Sequence, residues 1–206
     1  MNTISKIMQL KIALVGFKPI IWRRILVPAN YSFFDLHVAI QDAFGWYDQH
    51  LHHFFTDSPY KRNPHYQELA LPIPPEMEDV VDERKIKLNK YLNKNKDVMF
   101  YEYDFGDSWM HEIRVEKVIS PEPKAKYPQI LAGANACPPE DCGGIGGYHH
   151  LLQVLKNQKH EEYNHLMEWL DISDPSELNP EQFDIKSVKF RDPKKVLKEH
   201  EKGFGI

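Results

Sequence analysis

Cysteine is nearly missing from this chain: two residues, Cys137 and Cys142, in 206. That excludes a small secreted scaffold held by disulfides. No run approaches the roughly 18 apolar residues that a membrane-crossing helix needs. The N-terminus carries no apolar core followed by small residues, as a secretion signal would. An excess of positive charge is missing as well. With a formal net charge of −4, no global field draws the chain toward nucleic acid or anionic lipid. These absences lead to the expectation of a soluble cytoplasmic protein with no membrane partner.

What the chain does have is proline (15 residues), histidine (11) and aromatic side chains (12%). Prolines in that number imply shaped connections rather than a helical bundle. Met8–Val15 and Ile20–Val27 read as a hairpin around Gly16-Phe17-Lys18-Pro19, with Arg23 and Arg24 leaving neither face of the second strand wholly apolar. Phe33–Phe44 reads as a helix, because Leu36, Ala39, Ile40, Ala43 and Phe44 form one stripe. Ser32 with Asp35 is a capping start, and Gly45 a stop. Leu51–Thr56 reads as a strand, so hairpin, helix and strand follow in a β-grasp-like order.

Asp57–Glu83, with Pro59, Pro64, Pro72, Pro74 and Pro75, reads as a long ordered loop or lid. Val98–Phe105 and Ser108–Val118 form a second hairpin. Tyr148–Lys156 and Glu161–Leu170 are amphipathic helices, and Asp192-Pro193 opens a last short one. The expected class is α+β: a mixed or antiparallel sheet from two hairpins with a packed helix, plus C-terminal helices. Residues 1–190 are expected to form one domain, with 148–190 its helical part and 191–206 a Lys-rich tail.

Polar residues of unusual composition concentrate in two stretches. The first is Tyr101–His111. A two-residue turn at Gly106-Asp107 would oppose Glu102 to His111 and Asp104 to Trp109. Glu102, Asp104, Trp109 and His111 would then share one end of a sheet face. Two carboxylates and an imidazole there could bind a divalent metal, act as acid–base groups, or simply orient the hairpin. Asp104-Phe105-Gly106 is not the kinase motif, since no Gly-rich nucleotide loop or His-Arg-Asp loop accompanies it.

The second stretch is Cys137–Tyr148. Two cysteines four residues apart can share a metal, but a structural zinc takes four ligands. The others would come from Glu140, Asp141, His149, His150 or from a distant residue. Free buried thiols, a zinc-type site and a redox disulfide are the competing readings. Gly143, Gly144, Gly146 and Gly147 fit neither the dinucleotide fingerprint nor the P-loop, so a close-packed turn is expected. It would press against the Asp104–His111 end of the hairpin. Upstream, His50-Leu51-His52 offers a His-x-His pair.

Trp22-Arg23-Arg24 with Val27-Pro28, Asp35-Leu36-His37 through Phe44-Gly45-Trp46 and His50-Leu51-His52, the Tyr101–His111 run, and Cys137-Pro-Pro-Glu-Asp-Cys142-Gly-Gly through Tyr148 resemble the Ri-plasmid pRiA4b ORF-3-like family. Its members also occur as passenger proteins of an insertion element. The resemblance spans about residues 5–185 and implies an α+β domain without an assigned activity. The Lys-rich tail after Phe190 departs from the family's usual ending. No serine set among arginines supports recombinase chemistry.

The leading functional expectation is a binding module. Its pocket would lie between the two stretches and be lined by Tyr101, Glu102, Tyr103, Asp104, Trp109, His111 and Tyr148. A peptide, a small ligand or a nucleic-acid end would be its partner. The alternative is a hydrolase or structural site holding zinc or another divalent metal. It would use Glu102, Asp104, His111, Cys137 and Cys142. A weaker alternative is DNA binding through the basic residues of Arg84–Lys96, where a solvated face is the plainer reading.

Overall fold

The computed structural model describes residues 5–62, 65–73, 77 and 79–204. Two β-rich runs open the chain as strands β1 (Ile7–Leu14) and β2 (Trp22–Pro28), and helix α1 (Phe33–Phe44) follows. Next come β3 (His52–Phe55), β4 (Glu68–Ala70), β5 (Val81–Asp82), β6 (Val98–Tyr103), β7 (Trp109–Ile119) and β8 (Gln129–Ala134). Helices α2 (Gly144–Val154), α3 (Tyr163–Trp169) and α4 (Pro193–Phe204) end the chain. The eight strands form one sheet in the order β5-β4-β3-β6-β7-β1-β2-β8. Its pairings are antiparallel except β4 with β5, so the fold is α+β on a mixed sheet.

Helix α1 starts where its capping chemistry dictates. Ser32 Oγ accepts from the Asp35 N–H (3.1 Å), and the Asp35 carboxylate accepts from the Ser32 N–H (2.8 Å). Gly45, at φ 93°, ends it in the left-handed region that glycine enters without strain. Leu36, Ala39, Ile40 and Ala43 face the sheet within the main core. The opposite side of α1 is also covered: Phe34 and Val38 pack with Leu71 and with Val196 of α4.

Arg23 is the unexpected member of the core. It is 1% exposed and forms no ion pair with any described carboxylate. Its Nε donates to the carbonyl of Ala43 at 2.9 Å. Its Nη1 donates to the carbonyls of Trp22, Ala134 and Asn135 at 2.8–3.1 Å. The guanidinium stacks over Phe183 (3.7 Å) and Phe44 (5.0 Å). Gly133 makes room for this, since a Cβ there would stand 2.4 Å from the Phe183 ring. Burial lowers the guanidinium pKa to about 10, still charged at neutral pH. Arg24 points the other way and pairs with Glu116 (Nη2–Oε1 2.8 Å).

Three expectations are corrected. The proline-rich 57–83 stretch is not only a loop: it contributes β4 and β5 at the sheet edge, and it ends on Glu83, which is fully buried. Pro64, Pro74 and Pro75 lie outside the described residues. Strand β8, paired with β2, has no counterpart in the sequence reading, since its mixed run lacks alternation. The second hairpin has a five-residue connection (104–108) rather than a two-residue turn, with Tyr103 opposite Trp109 and Tyr101 opposite His111. Asp104 and Ser108 adopt φ 58° and 54°, and the Asp104 side chain accepts from Gly106 N–H (2.9 Å). A one-residue slip exchanges the faces of a strand. Met99, Tyr101, Tyr103, Trp109 and His111 therefore point into the core, and Glu102 lies on the other face, away from His111.

Replacing Arg23 by Met would take a buried side-chain donor away from four carbonyls. The expected loss of stability is about 3 kcal/mol; Ser32→Ala should cost only about 1 kcal/mol. Urea denaturation of both variants checks the order.

Candidate functional site

The two polar stretches meet. Asp107 Oδ2 accepts from the Gly143 N–H at 3.1 Å. Gly144 lies so close to the Asp107 backbone that a Cβ would stand 2.4 Å from its carbonyl oxygen. Gly143 and Gly144 take φ of 87° and 66°, so the turn requires glycine for conformation as well as for space. Tyr103 closes the contact from the core side, its hydroxyl donating to the Glu140 carboxylate at 3.2 Å.

Where the loops touch, four ligand-type groups converge. His50 Nε2 is 3.0 Å from Asp141 Oδ1, 3.7 Å from Asp104 Oδ2 and 3.8 Å from Glu140 Oε2. That nitrogen is shielded from solvent and has no aligned hydrogen-bond partner. Asp104 commits Oδ1 to the turn and leaves Oδ2 toward His50. The Asp104 and Glu140 side chains are 9% and 8% exposed. Burial, reinforced by Asp141, pushes the Glu140 carboxyl up against its hydrogen bonds and His50. Among the described residues, no Lys or Arg pairs with any of these carboxylates.

His50, Asp104 and Asp141 are the only three such groups, among the described residues, with ligand atoms all within 4.8 Å of one another. A metal that holds its ligands at about 2.0–2.2 Å sets them roughly 3.0–3.6 Å apart. The His50 spacings to Asp141 and Asp104, 3.0 and 3.7 Å, lie around that range. One imidazole with carboxylates is an oxygen-rich set suited to Mn²⁺, Mg²⁺ or Zn²⁺.

The residues singled out from sequence fall in different places. Asp104 lies in the cluster, and Tyr103 reaches it through its hydroxyl. Tyr101, Trp109, His111 and Tyr148 have no exposed surface and belong to the core. Glu102 faces away, bonded to His53 (2.7 Å) and Ser108. The ring of His111 stands edge-on between Phe44 (4.8 Å) and Trp46 (5.1 Å). Neither of its nitrogens has an aligned partner, and burial lowers its pKa to about 3.

Cys137 and Cys142 are free thiols. Burial pushes Cys137 well up and Cys142 to about 12, so neither is a thiolate at neutral pH. The set Cys137, Cys142, Asp104 and His111 does not converge as a metal group. Of the residues expected as ligands, only Asp104 lies in this group, beside His50 and Asp141, with Glu140 3.8 Å from the His50 nitrogen.

A buried polar chain lies behind this site. With Asp48 ionised, the His37 Nε2–H donates to Asp48 Oδ1 (2.7 Å) and Nδ1 accepts from the Tyr101 hydroxyl (2.9 Å). The Tyr101 oxygen accepts from Gln41 (2.9 Å). His37 stacks flat on His52 at 3.4 Å, and His52 donates to the buried Glu83 (3.0 Å). Burial and the neighbouring imidazole lower His37 to about 4. Sequence reading missed this chain because Glu83 lies in the stretch taken for a loop.

The family described as "Plasmid pRiA4b ORF-3-like protein" matches residues 6–187. The chain belongs to this family. Among ORF-3-like relatives, the uncharacterized protein y4hQ of Sinorhizobium fredii is 30% identical over 174 residues, 83% of this chain and 84% of the relative. A crystal structure of MM3350 from Methanosarcina mazei Go1, described as a protein of unknown function, is similar at TM-score 0.77 and 40% identity. It covers 91% of this chain and 100% of its own. Neither description gives this ORF-3-like chain an activity. No helix among the described residues is long and apolar enough to cross a membrane.

His37 and His111 give a pH prediction. Both are neutral in the native state, with pKa values of about 4 and 3, below the ordinary value of about 6.5. As pH falls through about 6.5, the unfolded chain binds protons that the native chain does not. Stability should therefore drop by about 1.4 kcal/mol per pH unit for each histidine, levelling off near their native pKa values. Urea midpoints at pH 7 and pH 5 should show the loss, and His111→Leu should lessen it.

Proposed function

We propose that this ORF-3-like protein is a binding module that takes a divalent cation where the 104–108 and 137–148 loops meet. His50, Asp104 and Asp141 would hold the ion, with the Glu140 carboxylate beside them. One observation carries the reading: a solvent-shielded His50 Nε2 without a hydrogen-bond partner, facing three carboxylates that no Lys or Arg neutralises. Gathering like charges with two of them buried is costly unless something compensates. A metal ion supplies that compensation. Each of the four residues comes from a motif by which the chain resembles its family.

A hollow of about 240 Å³ adjoins the cluster through Asp141 and is walled by Cys142, Leu151, Leu166 and Trp169. It offers a small ligand or peptide side chain room beside the ion, with an aromatic wall. A larger hollow, about 710 Å³, lies elsewhere, against Lys11, Phe17, Lys18 and Arg114. The hydrolase alternative built on a Glu102–His111 pair loses its support, because the two residues lie on opposite faces of the hairpin. DNA binding through 84–96 is weakened because Arg84 and Lys85 both pair with Asp82 and Leu88 and Leu92 bury its apolar side.

Calorimetric titration of chelator-treated full-length protein with Mn²⁺, Mg²⁺ and Zn²⁺ tests the proposal. One saturable site is expected, and the bound ion should raise Tm. His50→Ala and Asp104→Asn should each weaken binding at least tenfold. The asparagine keeps the Oδ1 acceptor that shapes the turn. His150→Ala, outside the cluster, should leave the titration unchanged. Flat titrations and an unmoved Tm with all three ions would sink the reading.

A further inference from the structure

Helix α4 holds to the rest of the protein in an unusual way. Lys194, Lys195, Lys198, Glu199, Glu201 and Lys202 are all exposed. Val196 is 3% exposed against Phe34, Val38 and Leu71, and Leu197 with Ile73 extends that contact. The remaining grip is polar. The Arg191 N–H donates to Asp42 Oδ2 at 2.7 Å and its Nε to Asp42 Oδ1. Its Nη2 lies 3.4 Å from Asp48 Oδ2, and His200 Nε2 lies 3.3 Å from the same oxygen. The carboxylates are the buried partners, with the Asp42 and Asp48 side chains 6% and 2% exposed and Arg191 39%.

The family match ends at residue 187, before α4 begins. Beneath α4 the matched region therefore carries an apolar slot formed by α1 and the segment that follows β4, flanked by two recessed carboxylates. This chain fills the slot with its own terminal segment. We infer that the slot is a docking groove for a basic amphipathic helix and that residues 188–204 are its built-in competitor. The partner helix carries adjacent apolar residues for Phe34, Val38 and Leu71, a guanidinium before them for Asp42, and an imidazole or second cation one turn after them for Asp48. Charge complementarity and the seated segment both specify this occupant. The inference stands apart from the cation site, since none of its residues is a proposed ligand.

A labelled peptide of residues 188–206, titrated by fluorescence anisotropy into full-length protein, tests it. Val196→Asp combined with Leu197→Asp releases the helix in cis. That variant should bind the peptide at least tenfold more tightly than the unaltered chain, which competes with itself. Adding Asp42→Asn, whose only described partner is Arg191, should remove most of the gain. Arg191→Ala with His200→Ala provides a second released variant, expected to behave alike. The inference falls if a folded released variant does not bind the peptide, or binds it no better than the unaltered chain. It falls equally if neither released variant folds, because α4 would then be an integral part of the domain.

Discussion

The architecture turns on a buried cation that pairs with no carboxylate among the described residues. Arg23 is satisfied by four backbone carbonyls and the faces of two rings. Because those carbonyls belong to the end of α1, to β2 and to the segment leaving β8, one side chain fixes how helix and sheet edge meet. A carboxylate partner would satisfy the charge with two atoms and tie down one residue. Carbonyl acceptors spread the same charge over three chain segments, all of which must be in place before the guanidinium can leave water. The 137–148 loop leaves the sheet next to this anchor, so its path to the hairpin starts from a fixed point.

Legibility in the sequence varied with how local each cause was. Helix α1 was readable to the residue, because its stripe, its Ser32–Asp35 box and Gly45 all act within a few positions. The first hairpin was readable for the same reason. The α+β class followed from these elements. Strands β4 and β5 were not readable, since runs of three and two residues owe their state to neighbours rather than to propensity, and β8 was not because its residues do not alternate. The hairpin register failed at an identifiable place. Gly106 looked like the residue that would turn the chain, yet Asp104 and Ser108 take the left-handed conformations. The bond that the Gly106 N–H donates to the Asp104 carboxylate stabilises that choice, and nothing in alternation reveals it.

The candidate site shows the same division. The glycine run and the polar turn were visible as separate oddities, and their contact was anticipated on packing grounds alone. Which groups would converge was not visible. His50, Asp104 and Glu140 are distant in sequence, and their approach depends on missing Cβ atoms at Gly144 and at Gly147, where a Cβ would stand 1.8 Å from the Cys142 carbonyl oxygen. The cysteines drew attention because thiols are familiar ligands. Both pack against the core beside Tyr148 and lie outside the convergent group, which takes Asp141 from between them.

Trp46 has a consequence of its own. Its indole N–H donates to the carbonyl of Pro138 (3.3 Å), and its ring lies 5.1 Å from Tyr103. Both neighbours lead to Glu140, one along the chain and one through a hydroxyl. Displacement of Glu140 would alter the polarity and quenching around a buried indole. The protein thus carries an intrinsic optical reporter beside the loop junction, readable in emission without any added label.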